Sequence, residues 1–254
     1  MNFGAYDHYG YAFVAVVGTF LAAWAIEWAM RRPQSEPFLR SIRGVVPPFI
    51  NIIGVLFGLT LAFIANDTWS AHDRAMNAVY KESDSLRSIS ALAGKLPEAS
   101  RVRVRAAIGD YVHAAVDVEW PLLGKREASP LATEKLDALL GVISADDVAV
   151  AAGAGVHTLM LKQATDARES RDQRIALSKT HVNPLKWLGM AFLGFLTMLS
   201  VAAVHADNVR AAFVAILLFA ASAAPTAAIV LVQGNPFQQP TAVSPAPIAA
   251  LGGK

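Results

Sequence analysis

Four apolar runs divide the chain, and each has the length of a helix that crosses a membrane. A bilayer core ~30 Å thick needs about 20 apolar residues in helical form. The runs are Tyr11 to Met30, Val45 to Ala65, Trp187 to Val204 and Ala211 to Val232. One short connection follows the first run and another follows the third, so the pattern predicts four spans in two hairpins.

The second run passes into a polar segment without a helix-breaking residue. Neither Pro nor Gly occurs between Gly58 and Gly94, and at about 1.5 Å per residue this stretch would rise roughly 50 Å, more than the bilayer core. We therefore expect one helix that leaves the membrane and enters a bundle. Helical spacing places on its apolar face Trp69, Met76, Val79, Leu86 and Ile89. The opposite face carries Asp73, Lys81, Glu82 and Asp84.

Three further helices are predicted after the break at Leu96-Pro97. Their spacing places them at Glu98 to Glu119, Leu131 to Ala152 and Val156 to His181. Pro121 is expected to end the first of them. The last carries acidic and basic residues in mixed order, which is typical of a solvated or ion-paired surface rather than a binding patch.

These elements predict an all-α membrane protein with an inserted helical bundle, into which the second and third spans continue. The first transmembrane hairpin is predicted at 1–65, the extramembrane bundle at 66–186 and the second hairpin at 187–232. Residues 233–254 form a tail that is expected to be partly flexible, because its end is rich in Ala, Pro and Gly.

Composition agrees with a membrane protein and excludes several other classes. The chain is 54% hydrophobic and 17% charged, with a mean hydropathy of +0.40, which is too apolar for an ordinary soluble domain. A net charge of +2 supplies no basic field for nucleic acid. The absence of cysteine excludes disulfides and thiol catalysis. The one acid within the apolar runs, Glu27, lies four residues before Arg31, a spacing that predicts an ion pair.

No pattern in the sequence predicts an enzyme, a cofactor or a metal site. The six histidines are scattered without the spacing of metal ligands. Gly153 and Gly155 lack the third glycine and the preceding strand of a dinucleotide site. Neither a nucleophile elbow nor a catalytic pair of carboxylates is visible. We expect a non-enzymatic protein without cofactor or metal.

A polar cluster follows the second apolar run, at the point where the helix is expected to leave the bilayer. It consists of Asn66, Asp67, Trp69, His72, Asp73, Arg74 and Asn77. One interpretation is an interfacial boundary, in which Asp67 or Asp73 pairs with Arg74 or Asn77. The other is the mouth of a water-filled path shared by several subunits, because amide and guanidinium groups can replace part of an anion's hydration shell. Gly54 and Gly58 precede the cluster as a small-residue pair that favours contact with another helix.

The residues from Leu59 to Glu82 resemble the second transmembrane helix of bestrophins and their bacterial relatives. Asn235, Pro236 and Phe237 resemble the Asn-Pro-Phe motif that follows the last membrane helix of bestrophins. The Glu-Trp-Pro tripeptide at Glu119 to Pro121, together with the four-span layout, is similar to the bacterial family with a bestrophin-like domain.

This resemblance implies a pentameric channel for small anions, lined by the second helix of each subunit. The implied pore and exit positions are Gly58, Ala62, Asn66, Asp67, Trp69, Asp73 and Arg74. An alternative register places the neck of the pore on Phe57, Leu61 and Ile64. Gln238, Gln239 and Pro240 replace the acidic calcium clasp of animal bestrophins, so calcium gating is not expected.

The expected partners are the lipid bilayer, further copies of the same chain and small anions, with no nucleic acid. A non-conducting scaffold or sensor whose bundle binds an unidentified protein is the alternative. The expected location is the bacterial inner membrane, as a multi-pass protein. Basic residues crowd the first loop at Arg31, Arg32, Arg40 and Arg43, which favours a bundle outside the cell. The resemblance implies the reverse, and on its weight we expect a cytosolic bundle.

Overall fold

The computed structural model describes residues 7–32, 37, 41, 46–179 and 184–252, and every regular element assigned in them is helical. The α-helices are α1 (Asp7–Met30), α2 (Val46–Ala93), α3 (Glu98–His113), α4 (Trp120–Leu123), α5 (Pro130–Ile143), α6 (Asp146–Ser178), α7 (Pro184–Val204), α8 (Val209–Val232) and α9 (Ala246–Ala249). A π-helical segment, Ala114–Glu119, joins α3 to α4.

In the part of the chain that the structure describes, four helices are long and apolar enough to cross a membrane, which confirms the predicted spans. They are α1, the first part of α2, α7 and α8. The short connection between α7 and α8 is closed by Asn208, whose side chain accepts a hydrogen bond from the amide of Ala211 at 3.1 Å and caps α8. Taken together, helices α5 and α6 also have the length and hydropathy of a membrane span, but a 75° bend separates them.

Helix α2 continues from the second span into the polar segment, as predicted, and its 48 residues end at Ala93. The junction between α6 and α7 lies outside the described residues, so the predicted continuation of the third span does too. The same holds for Arg40 and Arg43 of the first loop. The described residues divide into two compact units.

The membrane unit includes α1, the first part of α2, α7 and α8. Small side chains bring its helices together, since Ala23 of α1, Ala202 of α7 and Ala212 of α8 are buried in one apolar cluster. At the end of α1, Arg31 Nε donates to Glu27 Oε1 at 2.9 Å, which confirms the predicted ion pair.

The bundle unit is built from the second part of α2, α3 to α6 and the residues after α8. One apolar core joins them and includes Leu86, Ile108, Leu139 and Met160. The tail belongs to this core, because Val243 and Ile248 are buried and Ser83 Oγ donates to the carbonyl of Pro247 at 2.6 Å. This packing differs from the expected flexible tail. The predicted four-part division of the chain otherwise stays a prediction.

Two predicted helix boundaries are wrong. Pro121 does not end the first bundle helix, because the wider π turn before it accommodates the proline: the amide of Trp120 donates to the carbonyl of Ala115, five residues back. The helix predicted from Leu131 to Ala152 ends earlier, at Ile143, and the chain breaks at Ser144 and Ala145. The predicted break after Ala152 is also present, because Gly153 has a positive φ of 71° that glycine adopts readily, and two helical parts of α6 meet there at a kink.

Candidate functional site

One face of α2 remains exposed along the helix. Exposed residues follow one another at intervals of three or four, and we name this surface the α2 stripe: Gly58, Ala62, Asn66, Trp69, Asp73, Met76, Tyr80, Asp84 and Arg87. The spacing places Trp69 and Met76 on the apolar face with Val79, Leu86 and Ile89, but both are exposed, at 57% and 39%. Val79, Leu86 and Ile89 are buried as predicted.

In the first part of α2, the opposite side of the helix packs within the membrane unit. The rings of Phe57 and Phe219 lie 5.3 Å apart, and the Phe57 ring also lies against Gly194. Leu61 packs against a cluster that contains the buried Ile64 together with residues of α7 and α8. The residues of the alternative neck register therefore contact the chain's own helices.

The two small residues of the second span, Gly54 and Gly58, have open space beside them among the described residues. A Cβ atom built on Gly54 or Gly58 would find no atom within 4 Å apart from the helix itself. The helix contact that this pair favours is therefore not formed among the described residues.

The polar cluster at the end of the span is held by contacts other than those expected. Lys186 Nζ of α7 donates to Asp67 Oδ2 at 2.5 Å, and Trp69 Nε1 donates to Gln233 Oε1 at 3.0 Å. Asp67 therefore pairs with Lys186 rather than with Arg74 or Asn77. Within the described part of the chain, Asp73 and Arg74 make no side-chain hydrogen bond or ion pair.

A second polar group, which the sequence prediction missed, lies inside the bundle. Arg174 Nε donates to Glu82 Oε2 at 2.9 Å, and its Nη2 donates to Glu119 Oε2 at 3.1 Å. Arg171 Nη2 donates to the other oxygen of Glu119 at 2.5 Å. All four side chains are buried, and Tyr111 completes the group by donating its hydroxyl to Glu82 Oε1 at 2.5 Å. We name these five residues the buried ionic cluster.

The protonation states of the cluster follow from burial and from the opposite charges. Burial raises the pKa of Tyr111 well above its usual value, and the neighbouring Glu82 carboxylate adds to this effect. Burial acts to lower the pKa of Arg174, but Glu82, Tyr111 and Glu119 outweigh it, and the pKa is raised. The cluster therefore holds two guanidinium cations and a neutral phenol at neutral pH.

The prediction of a solvated or ion-paired surface on α6 is therefore wrong for two of its arginines. Arg171 and Arg174 do form ion pairs, but in the core, and Glu82 is buried rather than on the polar face of α2. A signal was present: Arg171 and Arg174 continue the helical spacing of the buried Ala164 and Ala167. Charged residues that continue the spacing of buried apolar residues indicate a buried ion pair.

The two short motifs, Glu119 to Pro121 and Asn235 to Phe237, meet each other in the bundle unit. Asn235 Nδ2 donates to the carbonyl of Leu123 at 3.1 Å, and its Oδ1 accepts from the amide of Phe237 at 3.0 Å. The Phe237 ring meets Trp120 edge to face at 5.6 Å. The guanidinium of Arg174 also lies over the Trp120 ring, 4.8 Å from the ring centroid. We name the contact of Asn235, Phe237 and Trp120 the motif junction. Through Arg174 it adjoins the buried ionic cluster.

Four spans and an inserted helical bundle define a multi-pass helical membrane protein. The sequence model of the Bestrophin-like domain matches residues 17–248, and the chain therefore belongs to the bestrophin-like family. This confirms the resemblance found in the sequence. Comparison with curated protein sequences gives no significant match.

Solved structures share the fold over nearly the whole chain. A mutant of a bacterial bestrophin homologue from Klebsiella pneumoniae has a TM-score of 0.63 at 13% identity, over 96% of this chain and 98% of that one. A second mutant of a Klebsiella pneumoniae bestrophin homologue has a TM-score of 0.62 at 12% identity, with 95% and 94% covered. A structure described as a membrane protein has a TM-score of 0.66 at 12% identity, with 96% and 99% covered.

Proposed function

We propose that this chain is the subunit of a homo-oligomeric, five-fold channel for small, chloride-type anions, lined by α2 of each copy. Family membership supports the proposal, because bestrophins are known as anion channels. The proposed location is the bacterial inner membrane, with the bundle in the cytosol.

The observation that carries the proposal is the α2 stripe. Gly58, Ala62 and Asn66 belong to the membrane unit, and all three are exposed in the single chain. At the end of the span, the exposed amide of Asn66 needs hydrogen-bond partners that lipid tails do not supply. Around a shared water-filled axis, the same amide meets water and passing anions.

The contacts of α2 also favour one pore register over the other. Phe57, Leu61 and Ile64 pack against the chain's own helices, so a neck made of them would require those contacts to break. A neck at Gly58 and Ala62 carries only small side chains, so no bulky ring closes the path. We infer a pore without a bulky apolar ring, whose polar exit carries Asn66, Trp69, Asp73 and Arg74 with Asp67 neutralised by Lys186.

The absence of cysteine from the chain makes a direct test available. Single cysteines at Ala62, Asn66 and Asp73 are placed in purified protein, reconstituted in liposomes, and treated with a negatively charged thiol reagent. We expect halide flux in the unmodified protein and a loss of flux after modification at these positions. The matched control is a cysteine at Val214, an exposed residue of α8 whose modification should leave the flux unchanged.

Two results would refute the channel proposal. One is halide flux no greater than in empty liposomes, and the other is a monomer in mild detergent. Stoichiometric recovery of another protein through the bundle, without flux, would instead establish the scaffold alternative. The side of the bundle is tested separately, by labelling a cysteine at the exposed Lys162 in intact cells with an impermeant reagent. A cytosolic bundle remains unlabelled until the membrane is opened.

A further inference from the structure

Two consecutive polar residues of α2, His72 and Asp73, lack partners in the single chain. Asp73 is exposed and His72 is half-buried, and neither side chain makes a hydrogen bond or an ion pair among the described residues. Asp67, less than two turns earlier on the same helix, is paired with Lys186. An imidazole donates through a ring N–H whether it is neutral or charged, and a carboxylate accepts, so the two unpartnered groups are chemically complementary.

Helical geometry keeps His72 and Asp73 from pairing within one chain. Consecutive residues of an α-helix point about 100° apart, so the two side chains diverge. Trp69 and Met76 of the α2 stripe lie about one turn before and one turn after them, and their directions fall between those of the two residues. His72 and Asp73 therefore point to opposite sides of the line that joins Trp69 to Met76.

In a five-fold ring, these two directions lead to two different copies. Seen from one helix of such a ring, the two neighbouring helices lie about 108° apart on either side of the shared axis, which is close to the roughly 100° between consecutive residues. When the α2 stripe faces the axis, Asp73 points toward one neighbour and His72 toward the other. Every interface of a cyclic ring joins two different faces of the same chain, so Asp73 of one copy meets His72 of the next.

We propose that Asp73 of each copy accepts a hydrogen bond from His72 of the neighbouring copy, and that this contact repeats at every interface of the ring. The inference rests on the proposed five-fold assembly around α2, and goes beyond it by naming the pair of residues that joins the copies. Arg74 is not the partner of Asp73 across the interface. It points about 100° further from the axis, so Arg74 of the neighbouring copy lies on that helix's far side.

Disulfide formation tests whether the two residues face each other. His72→Cys and Asp73→Cys chains are expressed separately and together, purified in mild detergent and gently oxidised. Helices pack about 8 to 10 Å apart, and their Cα atoms lie about 2.3 Å from the helix axis, so facing Cα atoms approach to the roughly 5 Å that a disulfide requires. Equivalent residues of two copies stay nearly as far apart as the helices. Co-expression should therefore give dimers containing one of each variant, about fivefold more than either variant alone.

An exchange of the two side chains tests whether the contact stabilises the assembly. His72→Asp places two carboxylates opposite each other between copies, and should raise the protein concentration needed for assembly in mild detergent by about tenfold. Adding Asp73→His restores the pair with its roles reversed, and assembly should recover. The matched control is His113→Asp on α3. His113 pairs with Asp117 of its own chain at an exposed position, so this change should leave assembly unaltered.

Three outcomes would overturn the inference and leave the proposed channel in place, provided that the wild-type protein assembles. They are disulfides that form as readily in either cysteine variant alone, normal assembly of His72→Asp, and a double exchange that does not recover. Recovery also excludes misfolding as the cause of the first loss, because a chain that fails to fold is not rescued by a second change. A wild-type protein that stays monomeric at every concentration would refute the channel and the inference together.

Discussion

At the scale of single residues, the strongest constraint in the bundle is the balance of buried charge. Two carboxylates face two guanidinium groups, and Arg174 contacts both Glu82 and Glu119. A buried ion pair does not by itself stabilise a fold relative to apolar residues, but removing one member leaves an uncompensated charge. Each arginine of the buried ionic cluster is therefore required once the others are present.

Arg174→Ala should destabilise the bundle by about 3 to 5 kcal/mol, because Glu82 would lose its guanidinium partner in the core. The matched control on the same helix is Arg168→Ala. Arg168 pairs with Asp137 at an exposed position, so its loss should cost about 0 to 1 kcal/mol. Chemical unfolding of the purified protein, followed by circular dichroism, measures both. Equal losses would contradict a role for the buried charge.

Because of Tyr111, the stability of the bundle should fall as the pH rises through the alkaline range. Its pKa is raised by burial and by Glu82, so the contribution is complete below about pH 10, where an unfolded tyrosine titrates, and is lost as the pH rises toward the folded pKa. Tyr111→Phe should cost about 2 kcal/mol at neutral pH. The difference from wild type should shrink above about pH 10.

Unfolding midpoints measured at pH 8, 10 and 11 would test this. Tyr80→Phe is the matched control, because Tyr80 is an exposed tyrosine of the same bundle helix as Glu82. It should follow the wild-type pH dependence. A constant difference between Tyr111→Phe and wild type across this range would show that the phenol does not titrate with unfolding.

At the scale of helices, local spacing determined what could be predicted from the sequence. The long α2 and the Glu27–Arg31 pair were predicted correctly, because they depend on residues within a few turns of one another. Glu82 was misplaced, because its partner Arg174 lies 92 residues away. The π turn before Pro121 was missed for a related reason: the proline rule assumes an ordinary α-helix, and tertiary packing selected a wider turn.

The motif junction joins the tail to the bundle helices through the side-chain amide of Asn235. Asn235→Ala would leave the carbonyl of Leu123 and the amide of Phe237 without their side-chain partner in a buried site. We expect a loss of about 2 kcal/mol, since each buried group left unsatisfied is costly. Thermal unfolding monitored by tryptophan fluorescence would detect it, because Trp120 contacts Phe237.

Asn77→Ala is the control for this element. Asn77 is exposed on α2 and has no side-chain partner among the described residues, so its substitution should change stability by less than about 0.5 kcal/mol. Similar losses for the two asparagines would argue that the junction is not a specific contact.

At the scale of the whole molecule, the four spans and the bundle were predictable because length and polarity alone separate membrane from water. The pore register could not be predicted, because helical spacing allows either of two faces of α2 to line the pore. The packing of Phe57 and Ile64 against the chain's own helices favours the α2 stripe, because those two side chains already have partners within the chain.

The assembly itself gives the last prediction. If α2 surrounds a shared axis, its small residues bring copies close together, and disulfides form between Cα atoms that approach to roughly 4.4 to 6.8 Å. Cysteine at Ala62 should therefore cross-link subunits under mild oxidation, whereas cysteine at the exposed Val214 of α8 should not. The mass in mild detergent should be five times the 27.0 kDa of the chain. Equal cross-linking at both sites would place the axis elsewhere, because proximity to α2 would then confer no advantage.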